Sequence, residues 1–291
     1  MLPEKYSSKE SSMKKKKGIS STVVLVFAMV IGLSLLLYPT VSDWWNSRVS
    51  SHAVTDYIQQ IAEIDDDKYK EIWKEAREYN KKVSERGNQY HLSDAEKAEY
   101  NSVLTVGGAG VMGYINIPCI DVMLPFYHGT EEPVLQVAVG HLDWTSVPTG
   151  GESTHCVLSG HRGLPSAKLF SDLDKVKVGD YFTLNVLDEV LTYEVDQIRI
   201  VLPEETGDLL IEEGKDYCTL VTCTPYGINS HRLLVRGHRT DNIEEAQEVR
   251  VTSDAMIVEK LIVVPFVFIP VLVVTLCLLL LFGNERHKNR P

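Results

Sequence analysis

The chain has 291 residues and a formal net charge of −11, from 40 acidic and 29 basic side chains. Residues 46–258 hold 35 of the acidic and 19 of the basic side chains, so the middle of the chain is strongly acidic. Nucleic-acid binding needs clustered Lys and Arg, and this balance therefore argues against a nucleic-acid partner. Once two long apolar stretches are set aside, the length predicts one domain of ordinary size with its own core.

The two apolar stretches, residues 18–38 and 261–282, contain no charged residue, and each is long enough to cross a bilayer as a helix. Basic residues lie on their outer sides, with four lysines at 14–17 and three basic residues within 286–290. The positive-inside rule predicts a two-pass protein of the cell membrane with both termini cytoplasmic. A signal peptide is the alternative for the first stretch, but no small-residue cleavage site follows it, which favours a retained anchor.

Helical periodicity follows the first stretch and covers residues 55–83. An acidic run at 65–67 interrupts it and so predicts two amphipathic helices that pack against the domain. Ser93 followed by Glu96 is a capping-box pattern, which predicts a short third helix ending near residue 104.

After a glycine-rich run at 107–110, short β-type runs separated by Gly and Pro replace the helical pattern. Many short strands of this kind are typical of a β-sandwich or a β-barrel, and the strand pattern alone leaves both open. Residues 166–173 have the composition of a helix. The predicted strands cover residues 112–117, 122–127, 134–140, 156–160, 181–186, 191–195, 198–202, 217–222 and 232–237.

Five cysteines are present, of which Cys277 lies in the second apolar stretch. The other four form no CxxC pair and have no Cys/His spacing typical of zinc, so we expect no metal site and no disulfide framework. Structural thiols are the best interpretation of Cys119, Cys156 and Cys218.

Cys223 ends a β-branched strand, and turn residues follow it before Arg232 opens the next strand. A cation close to a cysteine favours the thiolate, which is the nucleophilic form. The alternative is a buried strand cysteine that acts as a small apolar side chain, and the spacing alone favours that alternative.

Three segments resemble the sortases, the cysteine transpeptidases of Gram-positive cell surfaces. TLVTCTPYG at 219–227, continuing to HRLLVRG at 231–237, is similar to the signature of class C, the pilin-polymerising branch. LSGHRGLP at 158–165 resembles the segment that carries the family's histidine, and GYINIP at 113–118 resembles its first barrel strand.

The resemblance selects a mainly β fold, an eight-stranded sortase barrel preceded by amphipathic helices and flanked by two transmembrane helices. It extends over about residues 111–239 and leaves helices and membrane spans on either side. The expected organisation is a cytoplasmic tail (1–17), a membrane span (18–38), an extracellular helical region (39–110), the catalytic barrel (111–240), a linker (241–260), a second span (261–282) and a cytoplasmic tail (283–291).

The resemblance also implies roles for individual residues. Cys223 is the expected nucleophile, His161 the proton donor and acceptor, and Arg232 the group that binds the substrate carbonyl and stabilises the oxyanion. His161 is the histidine that matches, at a turn flanked by Gly160 and Gly163. Leu220 and Thr222, within the same signature, are predicted to bind the substrate, and no metal or cofactor is expected.

The implied reaction is cleavage of an LPxTG-like motif between Thr and Gly, followed by transfer of the acyl group to an amine. Class C implies that this amine is a Lys of a pilin subunit; the alternative is an amine of a peptidoglycan precursor, which would make the chain a wall-anchoring sortase. A cell-wall cysteine peptidase or amidase and a non-catalytic surface scaffold are the alternatives from other classes. The C-G-[SA]-C-[WY] pattern of papain-type enzymes is absent.

One departure from the family concerns the lid. Class C enzymes usually carry an Asp-Pro-aromatic motif before the barrel, and its Asp and ring cover the catalytic Cys and Arg. Residues 87–94, GNQYHLSD, contain Tyr90 and Asp94 but no such motif. We therefore expect a site that is open or only loosely covered.

Overall fold

The computed structural model describes residues 17–86, 90–106 and 110–242, with side chains from residue 27 onward. Their centre is a closed barrel in the strand order β1-β2-β3-β4-β7-β8-β6-β5. The predicted eight-stranded, mainly β fold is therefore confirmed. The strands are β1 (Val111–Ile117), β2 (Val122–His128), β3 (Val139–His141), β4 (Thr154–Ser159), β5 (Tyr181–Val186), β6 (Glu189–Val201), β7 (Asp216–Thr224) and β8 (His231–Arg239).

Most neighbouring strands are antiparallel, but β2 pairs with β3 and β4 pairs with β7 in parallel. Pairing of β1 with β5 closes the barrel. We call the end where β4 and β7 finish and β8 begins the upper end. The opposite end, where β4 and β7 begin, is the lower end.

Three helices of the described chain lie outside the barrel: α1 (Lys17–Ala62), α2 (Asp66–Arg86) and α3 (Asp94–Ser102). The described residues also form a single turn, α4 (Glu132–Leu135), and three short 3-10 helices (Pro118–Ile120, Leu173–Lys175 and Gly207–Leu209). The break at the acidic run and the capping box of α3 agree with the sequence predictions. The first predicted amphipathic helix, however, is not separate from the apolar stretch, because both belong to α1.

Buried hydrogen bonds hold α2 and α3 against the lower end of the barrel. Asn80 of α2 donates to the Val147 carbonyl at 2.8 Å and accepts from the Val147 amide at 2.8 Å. Tyr100 of α3 has its hydroxyl 2.9 Å from Nδ1 of the buried His141. Since each of these groups is removed from water, losing one partner would leave the other unpaired at a cost of about 1–3 kcal/mol.

Three sequence predictions within the barrel domain are wrong in detail. Residues 134–140 form no single strand, because Pro133 stands in the first turn of α4 and only Val139–His141 pairs with the sheet. The two strands expected at 191–195 and 198–202 are one strand, β6, whose pairing shifts between Val195 and Gln197. A β-bulge of this kind absorbs one extra residue, which explains the break in alternation.

Residues 166–173 do not form the expected helix. In this part of the described chain, only the 3-10 turn Leu173–Lys175 is helical. Hydrogen bonds from α1 hold the backbone of the segment at Ser166 and Lys168 instead. Asp43 accepts from the Lys168 amide at 2.7 Å, and Asn46 donates to the Ser166 carbonyl at 2.7 Å. Leu169 takes a positive φ of 37°, which a helix does not allow.

One helix among the described residues, Phe27–Ala62 within α1, is long and apolar enough to cross a membrane. The second predicted span, residues 261–282, lies outside the described residues.

Candidate active site

Strand pairing brings Cys223 and Arg232 together at the upper end of the barrel, where His161 follows the end of β4. Cys223 of β7 is the direct partner of Arg232 of β8. Ser159, the last residue of β4, pairs with Val221, so the chain reaches His161 level with Cys223 after two further residues. Directly paired positions place their side chains on the same face of a sheet. The barrel therefore collects the three residues that the sequence singled out.

Alternation along β7 decides which side of the barrel each residue faces. Val221, and with it Cys223, lies on the outer face, where Val221 packs with Val157, Val201, Leu209 and Leu234. Cys223 itself is only partly buried, so its sulfur is accessible.

Leu220 and Thr222 face the opposite way. Leu220 is fully buried in the barrel core, and the Thr222 hydroxyl donates to the Gly160 carbonyl at 2.7 Å. Their prediction as substrate-binding residues therefore has no support in this geometry. Thr222 instead fixes the β4 end, from which His161 extends, against β7.

His161 begins a loop that is held closely to the barrel. Its carbonyl accepts from the Phe170 amide at 3.1 Å, and a Cβ at Gly160 would meet the Phe170 ring at 2.8 Å. A side chain at Gly160 would thus displace either the ring or the loop. The imidazole is 30% exposed, and its Nε2 lies 3.9 Å from a carboxylate oxygen of Glu132. The ring is therefore partly accessible to solvent and lies near one carboxylate.

Backbone carbonyls contact the Arg232 guanidinium. One guanidinium nitrogen donates to the carbonyls of Asn229 and His231, both at 3.2 Å. No ion pair joins it to a carboxylate within the part of the chain that the structure describes. Carbonyl oxygens orient the guanidinium without neutralising it, so the remaining donors can bind a carbonyl or an oxyanion.

Arg162 is a site residue that the sequence reasoning quoted but did not single out. Its guanidinium donates to the Thr224 hydroxyl at 3.3 Å and pairs with Asp174. The contact links the residue after His161 to the residue after Cys223. Asp174 and Thr224 are not neighbours of Arg162 in the sequence, so no local pattern predicts that Arg162 links the two segments. The only signal was the position of Arg162 within the segment that matches the family's histidine.

An apolar cluster lies on the outer face of β4, β7 and β8, below Cys223. Val221 and Leu234 are buried in it, and Leu142 and Trp144 pack against it. Further down, a separate cavity of about 330 Å³ is lined by residues that include Trp144, His155 and Leu209.

The lid segment has only residues 90–94 within the described structure. The Tyr90 ring meets the Trp144 ring edge-on with centroids 5.0 Å apart. Ser93 caps α3 and Asp94 begins it. Tyr90 thus lies beside Trp144 at the edge of the apolar cluster, and Asp94 belongs to a helix.

The other described cysteines are less accessible or less acidic. Cys156 and Cys218 are paired positions of β4 and β7, and both are buried inside the barrel, away from any substrate. Burial raises the pKa of Cys218 well above its usual value, whereas for Cys156 burial is outweighed by hydrogen bonds with Cys218 and His141, which lower its pKa. Cys119 is exposed, but partial burial of its thiol and the Asp180 carboxylate raise its pKa to about 11. None of the described His, Cys, Asp and Glu residues form a group that could hold a metal ion.

Comparison with known proteins shows the family. The family model described as "Sortase domain" matches residues 115–240. Sortase D of Bacillus subtilis is 29% identical over 175 residues, which cover 59% of this chain and 84% of the relative.

Among solved structures, sortase C1 of Streptococcus agalactiae is 55% identical, covers 66% of this chain and 100% of its own, and has a TM-score of 0.65. Sortase C of Streptococcus pneumoniae is 44% identical, with 66% and 97% covered and a TM-score of 0.60. Sortase C of Clostridium perfringens, solved with the C-terminal cell wall sorting motif, is 43% identical, with 66% and 99% covered and a TM-score of 0.58.

A closed barrel with a cysteine, a histidine and an arginine at one end, together with these matches, defines a cysteine transpeptidase, and the chain belongs to the sortase family. Within that family it is a sortase of class C, since the solved structures it matches at 41–55% identity are sortases C.

Proposed function

We propose that this sortase cleaves an LPxTG-like sorting motif between Thr and Gly and joins the new acyl end to a Lys of a pilin subunit. The meeting of Cys223, Arg232 and His161 at the upper end of three adjacent barrel segments is the observation that carries the proposal. The outer face around Cys223 and Arg232 is the surface on which the motif would lie.

In the first half-reaction, the Cys223 sulfur attacks the Thr carbonyl carbon. The electron pair of the carbonyl moves to its oxygen, where the Arg232 guanidinium stabilises the negative charge. The Thr–Gly bond then breaks, and His161 gives its proton to the departing Gly amine. The product is a thioester on Cys223.

In the second half-reaction, the incoming Lys amine attacks the thioester carbonyl. His161 accepts the proton that the amine loses, and the bond between the acyl carbon and the sulfur breaks, which returns Cys223 to the thiolate. An isopeptide bond forms between the two subunits. Both steps use the same three side chains, so no cofactor is needed to balance them.

The choice of a pilin Lys follows from the solved relatives, since the study of the S. pneumoniae enzyme concerns pilin substrate specificity. Wall anchoring is the second candidate, because sortase A of Bacillus anthracis is 24% identical over 230 residues. In that case the acceptor is a peptidoglycan cross-bridge amine, while cleavage of the sorting motif is unchanged.

The test is to mix the full chain with an LPxTG-type peptide and a pilin domain, then identify products by mass spectrometry. A thioacyl adduct should form on Cys223 and be absent from Cys223→Ala. Cys119→Ala is the matched control, because Cys119 is an exposed thiol outside the site and its loss should change nothing. An adduct on another cysteine in active protein would refute the assignment of the nucleophile.

The acceptor is read from the same products. Transfer to a pilin Lys supports polymerisation, and transfer only to cross-bridge amines supports anchoring. Transfer only to water would show a peptidase.

For location, we propose that α1 anchors the enzyme and that residues 261–282 form a second span, with the barrel outside the cell. The apolar first part of α1 supports the anchor. Protease added to intact protoplasts should digest residues 46–258 and spare both termini. Digestion of either terminus would refute this topology.

A further inference from the structure

Helix α1 runs along the whole height of the barrel. Near its C-terminal end, the Tyr57 hydroxyl donates to the Met112 carbonyl and accepts from the Leu187 amide, both at 2.9 Å and both at the lower end. Asp43 and Asn46 bind the backbone of the loop that follows His161, at the upper end. From Asp43 to Tyr57 the helix rises about 21 Å, which matches the length of the barrel strands.

The apolar part of α1 consequently leaves the barrel at the upper end. Residue 38, the end of the charge-free stretch, is five positions before Asp43, a rise of about 8 Å along the helix. If this stretch spans the bilayer, the loop that carries His161 lies about 1 nm from the membrane surface. The end of the barrel that carries Cys223 and Arg232 then faces the lipid.

The barrel's exposed apolar side chains are concentrated at the same end. Ile228 is 71% and Tyr226 is 63% exposed, and both lie in the β7–β8 loop between Cys223 and Arg232. Residues 225–230 contain no acidic residue, although the domain as a whole is strongly acidic. The other large apolar side chains that are exposed in the described barrel also lie toward the upper end: Met123, Val137, Val178, Ile198, Ile200 and Leu202.

We propose that the β7–β8 loop contacts the bilayer surface, with Ile228 and Tyr226 in the interfacial region. Tyrosine suits this position, because its ring is apolar and its hydroxyl remains hydrated. The β7–β8 loop and the hydrogen bonds of Asp43 and Asn46 then hold the upper end of the barrel at the membrane. There the active site receives substrate segments that are presented at the lipid surface. The proposal rests on the anchoring by α1 proposed above.

The test places the photoreactive residue benzoylphenylalanine in the full chain and reconstitutes it in vesicles of phosphatidylcholine and phosphatidylglycerol. Ile228→benzoylphenylalanine probes the loop. Glu213→benzoylphenylalanine is the matched control, because Glu213 is also exposed but lies just before β7 at the lower end. After irradiation, lipid adducts should be at least about tenfold more abundant at position 228 than at position 213.

Equal or absent lipid adducts at position 228, in protein that resists alkaline extraction from the vesicles, would overturn the proposal. An adduct at 228 to an added pilin domain, with none to lipid, would also overturn it and identify a protein-docking surface. Alkaline extraction of the chain would instead show that α1 is not an anchor, which separates failure of the anchor from failure of the contact. Thioacyl formation on Cys223 by a soluble peptide reports that each variant is folded.

Discussion

Replacing His155 tests how strongly one buried imidazole limits the stability of the protein in acid. The ring is 1% exposed, with Nδ1 2.8 Å from the Leu210 carbonyl and Nε2 2.7 Å from the Thr219 hydroxyl. A carbonyl can only accept, so the neutral ring carries its proton on Nδ1 and accepts from Thr219 through Nε2. Burial, assisted by the positive charge of Arg236, lowers the pKa of His155 to about 4.

The size of the effect follows from linkage. In the unfolded chain the imidazole binds a proton as the pH falls through about 6.5, whereas in the folded protein it does so only near its lowered pKa. The unfolded state binds more protons between these values, so stability is lost as the pH falls through this range. The loss on going from neutral pH to about pH 5 is about 2 kcal/mol, and it approaches about 3 kcal/mol below the folded pKa.

The assay is urea unfolding of the full chain at about pH 7.5 and about pH 5, for wild type and for His155→Gln. The Gln amide can still donate to Leu210 and accept from Thr219, but it does not titrate. Burial also shifts the pKa values of Asp216, upward, and His128, downward, and these groups contribute to both proteins alike. Wild type should lose about 2 kcal/mol more than the variant. Equal losses would refute the assignment of the acid sensitivity to His155.

Three further outcomes are expected. Tyr57→Phe removes the hydroxyl that pairs with the Leu187 amide and a barrel carbonyl, so it should lower the unfolding free energy by about 2 kcal/mol; an unchanged melting temperature would contradict this. Arg232→Lys keeps the charge but not the fork of donors, so kcat/KM should fall about 100-fold or more while urea unfolding stays within about 0.5 kcal/mol; a matching loss of stability would mean that Arg232 acts through the fold. Deletion of residues 87–94 should leave the rate at which a small thiol reagent modifies Cys223 within about twofold of wild type, and a large acceleration would show that this segment covers the site.

Local features of the sequence were sufficient to place Cys223 beside Arg232, although their roles came from the resemblance to sortases. Cys223 and Arg232 belong to consecutive strands joined by a short turn, so the register that pairs them is set within a few residues. The capping box at Ser93 is local in the same way, and α3 begins where it indicates. Cys223 could also be placed on the opposite face from Cys218 by alternation alone, as the barrel confirms.

The position of His161 beside Cys223 depends on contacts that are distant in sequence. β4 and β7 are parallel neighbours, and the hydrogen bond from Thr222 to Gly160 joins residues 62 positions apart. Periodicity does not specify which strands pair, and only the resemblance to sortases singled out this histidine. Alternation along β7 could have predicted the burial of Leu220 and Thr222, since both lie on the face opposite Cys223.

The loop after His161 shows what tertiary structure alone decided. Residues 166–173 have helix-forming side chains, yet Asp43 and Asn46 bind their backbone from more than 100 positions away. A short helix is marginal in water, so these two hydrogen bonds from another element, one of them partly buried, are enough to favour a different backbone path. The apolar stretch of α1 was evident from composition, because length and lack of charge are properties of the segment itself. Composition could not show that this helix leaves the barrel beside the active site. The direction of the helix depends on where Tyr57, Asn46 and Asp43 form hydrogen bonds with the folded barrel.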